Sequence, residues 1–301
     1  MILFSIKSYE YLAAKIASGD IVAGIMESKN FPDGESYHRI VTNVEGKDVA
    51  VVGGTIDDHS TLELYDVCCG LVQQGARSLT IVIPFFGYAT MERSVKEGEI
   101  VKAKTRTHLL SSIPSTSSGN RVVLIDLHTE GLPYYFNTSV RPIHLYAKPV
   151  VMQAAKDLGG NNFVLASTDA GRAKWVESLA RDMNVDAAFV YKRRTSGSET
   201  QVTGVNASVA GKHVIIYDDM IRTGGSLIEA SKVYKNAGAS KISVIATHGI
   251  FPSHAIEKLK NSGVIDHVVV TDTHPNAAKI EDRFFSIYSV DKLIQQTLLS
   301  L

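Results

Sequence analysis

The residues best able to do chemistry stand together in VIIYDDMIRTGGSLIEA (214–230). An apolar, β-branched run ends in two adjacent acids, Asp218 and Asp219. A short loop then leads through Arg222, Thr223, Gly224, Gly225 and Ser226 into an amphipathic stretch. Glycines let backbone N–H groups close on an anion, and the start of a helix adds a favourable dipole. Thr223 and Ser226 can donate hydroxyl hydrogen bonds to the same anion. Two neighbouring carboxylates suit a pair of vicinal sugar hydroxyls, met directly or through a divalent ion. The pattern therefore predicts a phosphorylated-sugar site at a strand end, where open α/β sheets hold their ligands. The plainer reading is an ordinary strand–turn–helix with Ser226 as N-cap. Two acids followed by Thr-Gly-Gly-Ser are more specific than that reading requires.

Four further segments carry candidate chemistry. FPDGESYHRI (31–40) contains a Pro-Asp-Gly turn, which would by itself account for these residues between two strands. RVVLIDLH (121–128) is a strand ending in His128, either a ligand or a hydrogen-bonded strand-end imidazole. STDAGRAKW (167–175) puts Asp169 just after a strand, where it either faces a cation or caps the following helix. YKRR (191–194) opens a long polar segment, 193–211, rich in Gly, Ser and Thr. A connection of that length is expected to be a functional lid or hairpin. Residues two apart on an extended chain face the same way, so Lys192 and Arg194 form a candidate cation pair; the alternative is a solvated basic cluster.

The elements that must position these residues alternate. Strands are predicted at 48–55, 78–84, 121–128, 162–168, 187–192, 212–219, 241–249 and 266–273, and helices at 61–76, 99–110, 170–183 and 226–239. Continuous apolar strands alternating with helices predict parallel sheets covered on both faces. At 301 residues, two α/β domains are expected. The boundaries are 1–146, 147–285 and a tail, 286–301, that packs back on the first domain. Lys+Arg and Asp+Glu are equal at 31 each, which argues against nucleic acid or an anionic membrane as the main partner. The two cysteines, Cys68 and Cys69, are adjacent, a poor arrangement for a disulfide framework. The N-terminal stretch lacks a signal-peptide layout and no apolar run spans a bilayer, so a cytoplasmic protein is expected. An organellar form with its transit peptide removed stays open.

The 214–230 segment resembles the phosphoribosyl pyrophosphate motif of type I phosphoribosyltransferases and ribose-phosphate pyrophosphokinases. Phe31–Glu35, Leu124–His128, HLYAKP (144–149), Ser167–Gly171, Tyr191–Arg194 and TDTHP (271–275) are similar, in that order, to segments of the second family. The resemblance implies two type I phosphoribosyltransferase-like domains and a ribose-phosphate diphosphokinase using Mg2+, ATP or another nucleoside triphosphate, and ribose 5-phosphate. Asp218 and Asp219 would hold the ribose hydroxyls, and residues 222–226 the 5-phosphate. Phe31, Asp33, Glu35, Glu92 and Arg93 would bind the nucleotide. His128 and Asp169 would meet the metal or the triphosphate, and Lys192, Arg194 and His128 would act in catalysis. The 31–40 loop would serve a neighbouring subunit, implying a homo-oligomer, a dimer or hexamer.

Departures from the commoner pattern are local. Thr90 and Met91 replace an Arg and a Gln tied to nucleotide binding, Glu92 and Arg93 remain as an acid–base pair, and Arg222 stands where the common family has an Asp. The 85–103 segment, Arg222 and ATHGIFP (246–252) are similar to the class II synthases known mainly from plants. That likeness implies independence of inorganic phosphate and a permissive donor site. A regulatory homologue without turnover and a phosphoribosyltransferase are the alternatives; the latter would have no need of the first α/β half.

Overall fold

The computed structural model describes residues 1–196, 199–205 and 208–301, with Ala170, 191–196 and 199–205 described at the backbone only. The chain divides into two compact units, Met1–Tyr146 with Val290–Leu301, and Ala147–Ser289.

The first unit runs β1 (Ile2–Ser5), α1 (Glu10–Ile16), β2 (Val22–Ala23), β3 (Met26–Asn30), β4 (Ser36–Ile40), β5 (Asp48–Val52) and α2 (Asp58–Gln73). It continues with β6 (Ser78–Ile83), α3 (Lys102–Ser111), β7 (Asn120–Ile125) and β8 (Val140–Leu145). Six strands form a parallel sheet in the order β2-β1-β5-β6-β7-β8. The strand SLTIVI is buried at every position, as expected for a parallel sheet covered on both faces. β3 and β4 stand apart as an antiparallel hairpin.

The second unit opens with α4 (Lys148–Gly159), β9 (Phe163–Ser167), α5 (Ala173–Met183), β10 (Asp186–Ala188) and the antiparallel pair β11 (Val190–Ser196) and β12 (Glu199–Val205). Then follow β13 (His213–Ile221), α6 (Gly225–Asn236), β14 (Lys241–Gly249), α7 (Ala255–Lys260), β15 (His267–Thr271), α8 (Pro275–Ala278) and β16 (Phe285–Tyr288). Its parallel sheet has the order β10-β9-β13-β14-β15-β16. Apolar clusters fill both faces, one around Val214, Ile216 and Tyr234, the other around Val176, Leu179 and Ile215. The fold class is thus the one the sequence predicts.

Several details differ from the sequence reading. The strand expected at 187–192 is two strands broken at Phe189, because β10 pairs with β9 while β11 turns away to pair with β12. The strand expected to end at Asp219 continues to Ile221, held by pairing of Met220 and Ile221 with His248 and Gly249. The apolar run FSIY, whose end was grouped with the tail, is β16 and pairs with β15. The final helix, α9 (Asp291–Ser300), lies in the first unit. There Gln295 donates to the Ile16 carbonyl at 3.2 Å and to Ser18. Among the described residues no helix is long and apolar enough to cross a membrane.

Candidate active site

In the second sheet, β10 and β13 flank β9 on opposite sides, so the chain direction switches between β9 and β13. Loops leaving those two strand ends diverge and open a crevice. Asp169 follows β9, Asp218 and Asp219 lie near the end of β13, and Arg222–Ser226 follow it. The first sheet has the same kind of switch between β1 and β5. There the buried Tyr9 ring packs against Gly54, where the Cβ of any side chain would lie 2.2 Å from the Tyr9 hydroxyl.

The phosphate-loop candidate is tight: only Arg222, Thr223 and Gly224 separate β13 from α6. Gly224 is the N-cap, in the left-handed region with φ 74°, and no side chain caps the helix. The plain reading of Ser226 as N-cap is therefore overturned. Ser226 lies inside the first turn, because the glycine supplies the reversal and the helix starts one residue earlier. The first N–H groups of an α-helix have no intrahelical acceptor, so this end offers donors to an anion. Lys258, on α7, places its Nζ 3.5 Å from where a Cβ on Gly225 would sit. Sequence reasoning missed this lysine, since nothing in EKLK sets it apart from a solvated helix face.

The acid pair is asymmetric. Asp219 is buried, and its Oδ2 lies 2.7 Å from Arg172 Nη2. Asp218 is half-buried; its Oδ1 accepts from the Asp219 N–H at 2.9 Å and its Oδ2 from the Thr168 hydroxyl at 3.2 Å. Burial, and then the negative charge of Asp219, push the Asp218 carboxyl up to about 7. Beneath it, Tyr217 stacks on Trp175 at 4.2 Å and shares a 3.1 Å hydrogen bond with Thr247. Asp169 accepts the Gly171 N–H at 2.8 Å, which closes a turn into α5. Arg172 was also missed; its signal was one of two cations, with Lys174, in STDAGRAKW.

In the first unit, Phe31, Asp33 and Glu35 form the tip of the β3–β4 hairpin. Asp33 accepts the Glu35 N–H at 3.1 Å and Gly34 has φ 95°, so the turn is satisfied by its own residues. Phe31 stays 41% exposed, edge-on to Tyr37 at 6.0 Å, with Lys29 Nζ 5.2 Å from its ring centre. An exposed aromatic at the tip of a two-stranded hairpin suits contact with something outside the unit. Glu92 and Arg93 follow β6 and pair with each other at 3.5 Å. His128 follows β7. Beside it, His144 Nε2 accepts the Leu127 N–H at 3.1 Å, and burial lowers the His144 pKa, keeping it a neutral acceptor. Two non-glycine residues at these strand ends have positive φ, Tyr88 at 62° and Asp126 at 38°. Strained backbone of this kind concentrates at ligand sites. Lys192 and Arg194 lie on β11, where pairing runs without a register shift from Lys192 to Arg194. The expectation that both side chains face one way falls outside the described residues.

Among the described residues no three His, Cys, Asp or Glu side chains converge as a metal cage. His128 and Asp169 offer one donor side chain each. Mg2+ commonly binds through one or two side chains plus substrate phosphates and water, so either residue, taken within its own unit, suits an ion that arrives with a triphosphate.

A parallel α/β sheet with an acid pair and a glycine turn at its switch point is a phosphoribosyltransferase-like architecture. The comparisons with known proteins narrow this further. Residues 1–113 match the N-terminal domain of ribose phosphate pyrophosphokinase, and residues 164–297 the phosphoribosyl synthetase-associated domain. A ribose-phosphate pyrophosphokinase from Synechococcus elongatus is 31% identical over 98% of this chain and 89% of its own length. One from Gloeobacter violaceus is 33% identical over 85% and 76%. The crystal structure of phosphoribosylpyrophosphate synthetase from Mycobacterium smegmatis superposes with a TM-score of 0.86 at 25% identity, covering 99% of this chain and 97% of that one. The chain belongs to the ribose-phosphate pyrophosphokinase family.

Proposed function

We propose that the chain transfers the β,γ-diphosphoryl group of ATP, or of another nucleoside triphosphate, to the C1 hydroxyl of ribose 5-phosphate. The products are phosphoribosyl pyrophosphate and the nucleoside monophosphate. The observation that carries this reading is the acid pair and glycine turn at the β9/β13 switch point, in a chain that matches family members over nearly its whole length.

In this proposal Asp218 and Asp219 meet the ribose hydroxyls while Arg222, Thr223, Gly224, Gly225 and Ser226 hold the 5-phosphate. The C1 oxygen bonds to the β-phosphorus, the bond from that phosphorus to the α–β bridging oxygen breaks and leaves the nucleoside monophosphate, and the proton of the C1 hydroxyl passes to solvent. Such transfers depend on positioning and on stabilising charge spread over the phosphoryl oxygens. Lys192 and Arg194 supply that charge. Phe31 stacks on the base, and Asp33, Glu35, Glu92 and Arg93 contact polar parts of the nucleotide. His128 and Asp169 face the triphosphate and its Mg2+, which neutralises phosphate charge when bound. The hairpin carrying Phe31 serves a second copy, so the active form is a homo-oligomer.

The test mixes the full chain with ribose 5-phosphate, Mg2+ and ATP without inorganic phosphate, and quantifies AMP and phosphoribosyl pyrophosphate together. Equal formation of both is expected and supports the phosphate-independent class. Activity that appears only on adding phosphate places the chain with the commoner class. Absence of AMP with every triphosphate, with and without phosphate, refutes the proposal.

A further inference from the structure

We infer that Arg172 is the resident counter-cation of the ribose site, and that it lets the site take ribose 5-phosphate without a divalent ion bridging Asp218 and Asp219. The inference rests on the reading of that site given above.

Two acids adjacent at a strand end repel one another, and a buried carboxylate needs an opposite charge close by. A divalent ion is one source of that charge. This chain holds another in its own covalent structure, since Arg172 Nη2 lies 2.7 Å from Asp219 Oδ2 with the carboxylate side chain only 5% exposed.

The local fold is built to deliver that contact. β9 and β13 pair in parallel, with Ser167 opposite Tyr217, so both chains leave the sheet at the same edge. Ser167 Oγ donates to the Asp169 carbonyl at 2.7 Å, and Asp169 Oδ1 accepts the Gly171 N–H at 2.8 Å. These bonds close a single 3-10 turn, Ala170–Arg172, that ends at the N-cap of α5. A cation there opposes the helix dipole, so helix stability does not account for Arg172. Its partner on the next strand does. A guanidinium keeps its charge at every relevant pH and presents a fixed planar fork. Asp219 is therefore paired, and one of the two charges offset, before any ligand or metal arrives.

The test is calorimetric titration of ribose 5-phosphate into the full chain, in EDTA and in Mg2+. It compares the unaltered chain, Arg172→Gln, which keeps a hydrogen-bond donor without charge, and Arg172→Lys, which keeps the charge. Affinity of the unaltered chain is expected to differ by less than about threefold between the two conditions, and Arg172→Gln to lose about tenfold or more in EDTA. Mg2+ should restore the Gln variant, and the Lys variant should retain metal-free binding. A merely structural role predicts a loss that Mg2+ does not repair, and that result overturns the inference. So does an unaltered chain that binds only with Mg2+, or a Gln variant indifferent to EDTA. If Arg172→Gln unfolds, as circular dichroism would show, the unaltered chain and the Lys variant still decide. Absence of binding by the unaltered chain in both conditions refutes the site reading itself, a different result from any of these.

Discussion

Two adjacent glycines separate folding from binding in this site. At Gly224 an alanine would stand in the left-handed region, φ 74°, with its Cβ 2.7 Å from Leu259 Cδ2 and 2.9 Å from Cγ. Left-handed backbone costs an L-residue roughly 1–2 kcal/mol. Forcing a methyl against a buried leucine costs about 1–3 kcal/mol more. Gly224→Ala should therefore destabilise the second unit by about 2–5 kcal/mol. At Gly225 the backbone is already helical, and the nearest atom to an added Cβ is Lys258 Nζ at 3.5 Å, an ordinary contact. Gly225→Ala should hold or raise stability, by about 0.4–1 kcal/mol, because it restricts the unfolded chain. The same methyl blocks the approach of a phosphate to the helix N-terminus, and losing one charge-assisted hydrogen bond weakens binding about 10- to 100-fold. The assay pairs urea unfolding with calorimetric titration of ribose 5-phosphate for each variant. A Gly225→Ala chain that is stable and binds normally would refute the assignment of this turn to the 5-phosphate. A Gly224→Ala chain as stable as the parent would refute the strain argument.

Lys192→Ala should keep the fold by circular dichroism and lose about 3–4 kcal/mol of transition-state stabilisation, by analogy with oxyanion donors; an unchanged kcat would remove Lys192 from the mechanism. Lys258→Ala should weaken ribose 5-phosphate binding about three- to tenfold, and equal Kd values for variant and parent would clear the lysine of that role. Phe31→Ala and Lys192→Ala chains, each inactive alone, should regain activity on mixing if the hairpin serves a partner's site, and silence of the mixture argues that each copy uses its own hairpin. The Asp218 carboxyl, raised to about 7 by burial and by Asp219, makes a pH prediction for the ligand-free chain. The unfolded state loses this proton near the ordinary carboxylate pKa while the folded state keeps it, so between about pH 4 and 7 the folded state binds more protons and stability falls as pH rises. Above about pH 7 the penalty, a few kcal/mol at most, is constant. Asp218→Asn should flatten that slope relative to the parent in urea titrations across the range, and parallel curves would show that Asp218 titrates normally.

Much of the architecture was legible because period and composition carry it. SLTIVI, VVLI and VIIYDD announce buried parallel strands, and the paired runs of strand and helix announce two α/β halves. Elements with weaker patterns were less visible. FSIY is short enough to pass for a tail, and Phe189 breaks a run whose composition is uniform while its pairing partner changes. Among the candidate residues of the two units, the acid pair, the glycine turn and the Asp33 turn were each readable, since all depend on neighbours within a few residues. Whether Ser226 caps the helix was not legible, because hydroxyl and glycine caps are both common and only backbone angles distinguish them.

By itself the sequence determined the fold class, the family and the order of the candidate segments, because these depend on residue type and spacing along the chain. Tertiary structure decided which charges meet. Arg172 reaches Asp219 only because β9 and β13 are neighbours in the sheet, and Lys258 reaches Gly225 only because α7 packs beside α6's first turn. It also decided that the Tyr9 ring packs against Gly54, a contact that no residue pattern marks. Local preferences act over a few residues, whereas packing and Coulomb energies act through space between segments distant in the chain, and only the folded arrangement says which of them are in reach.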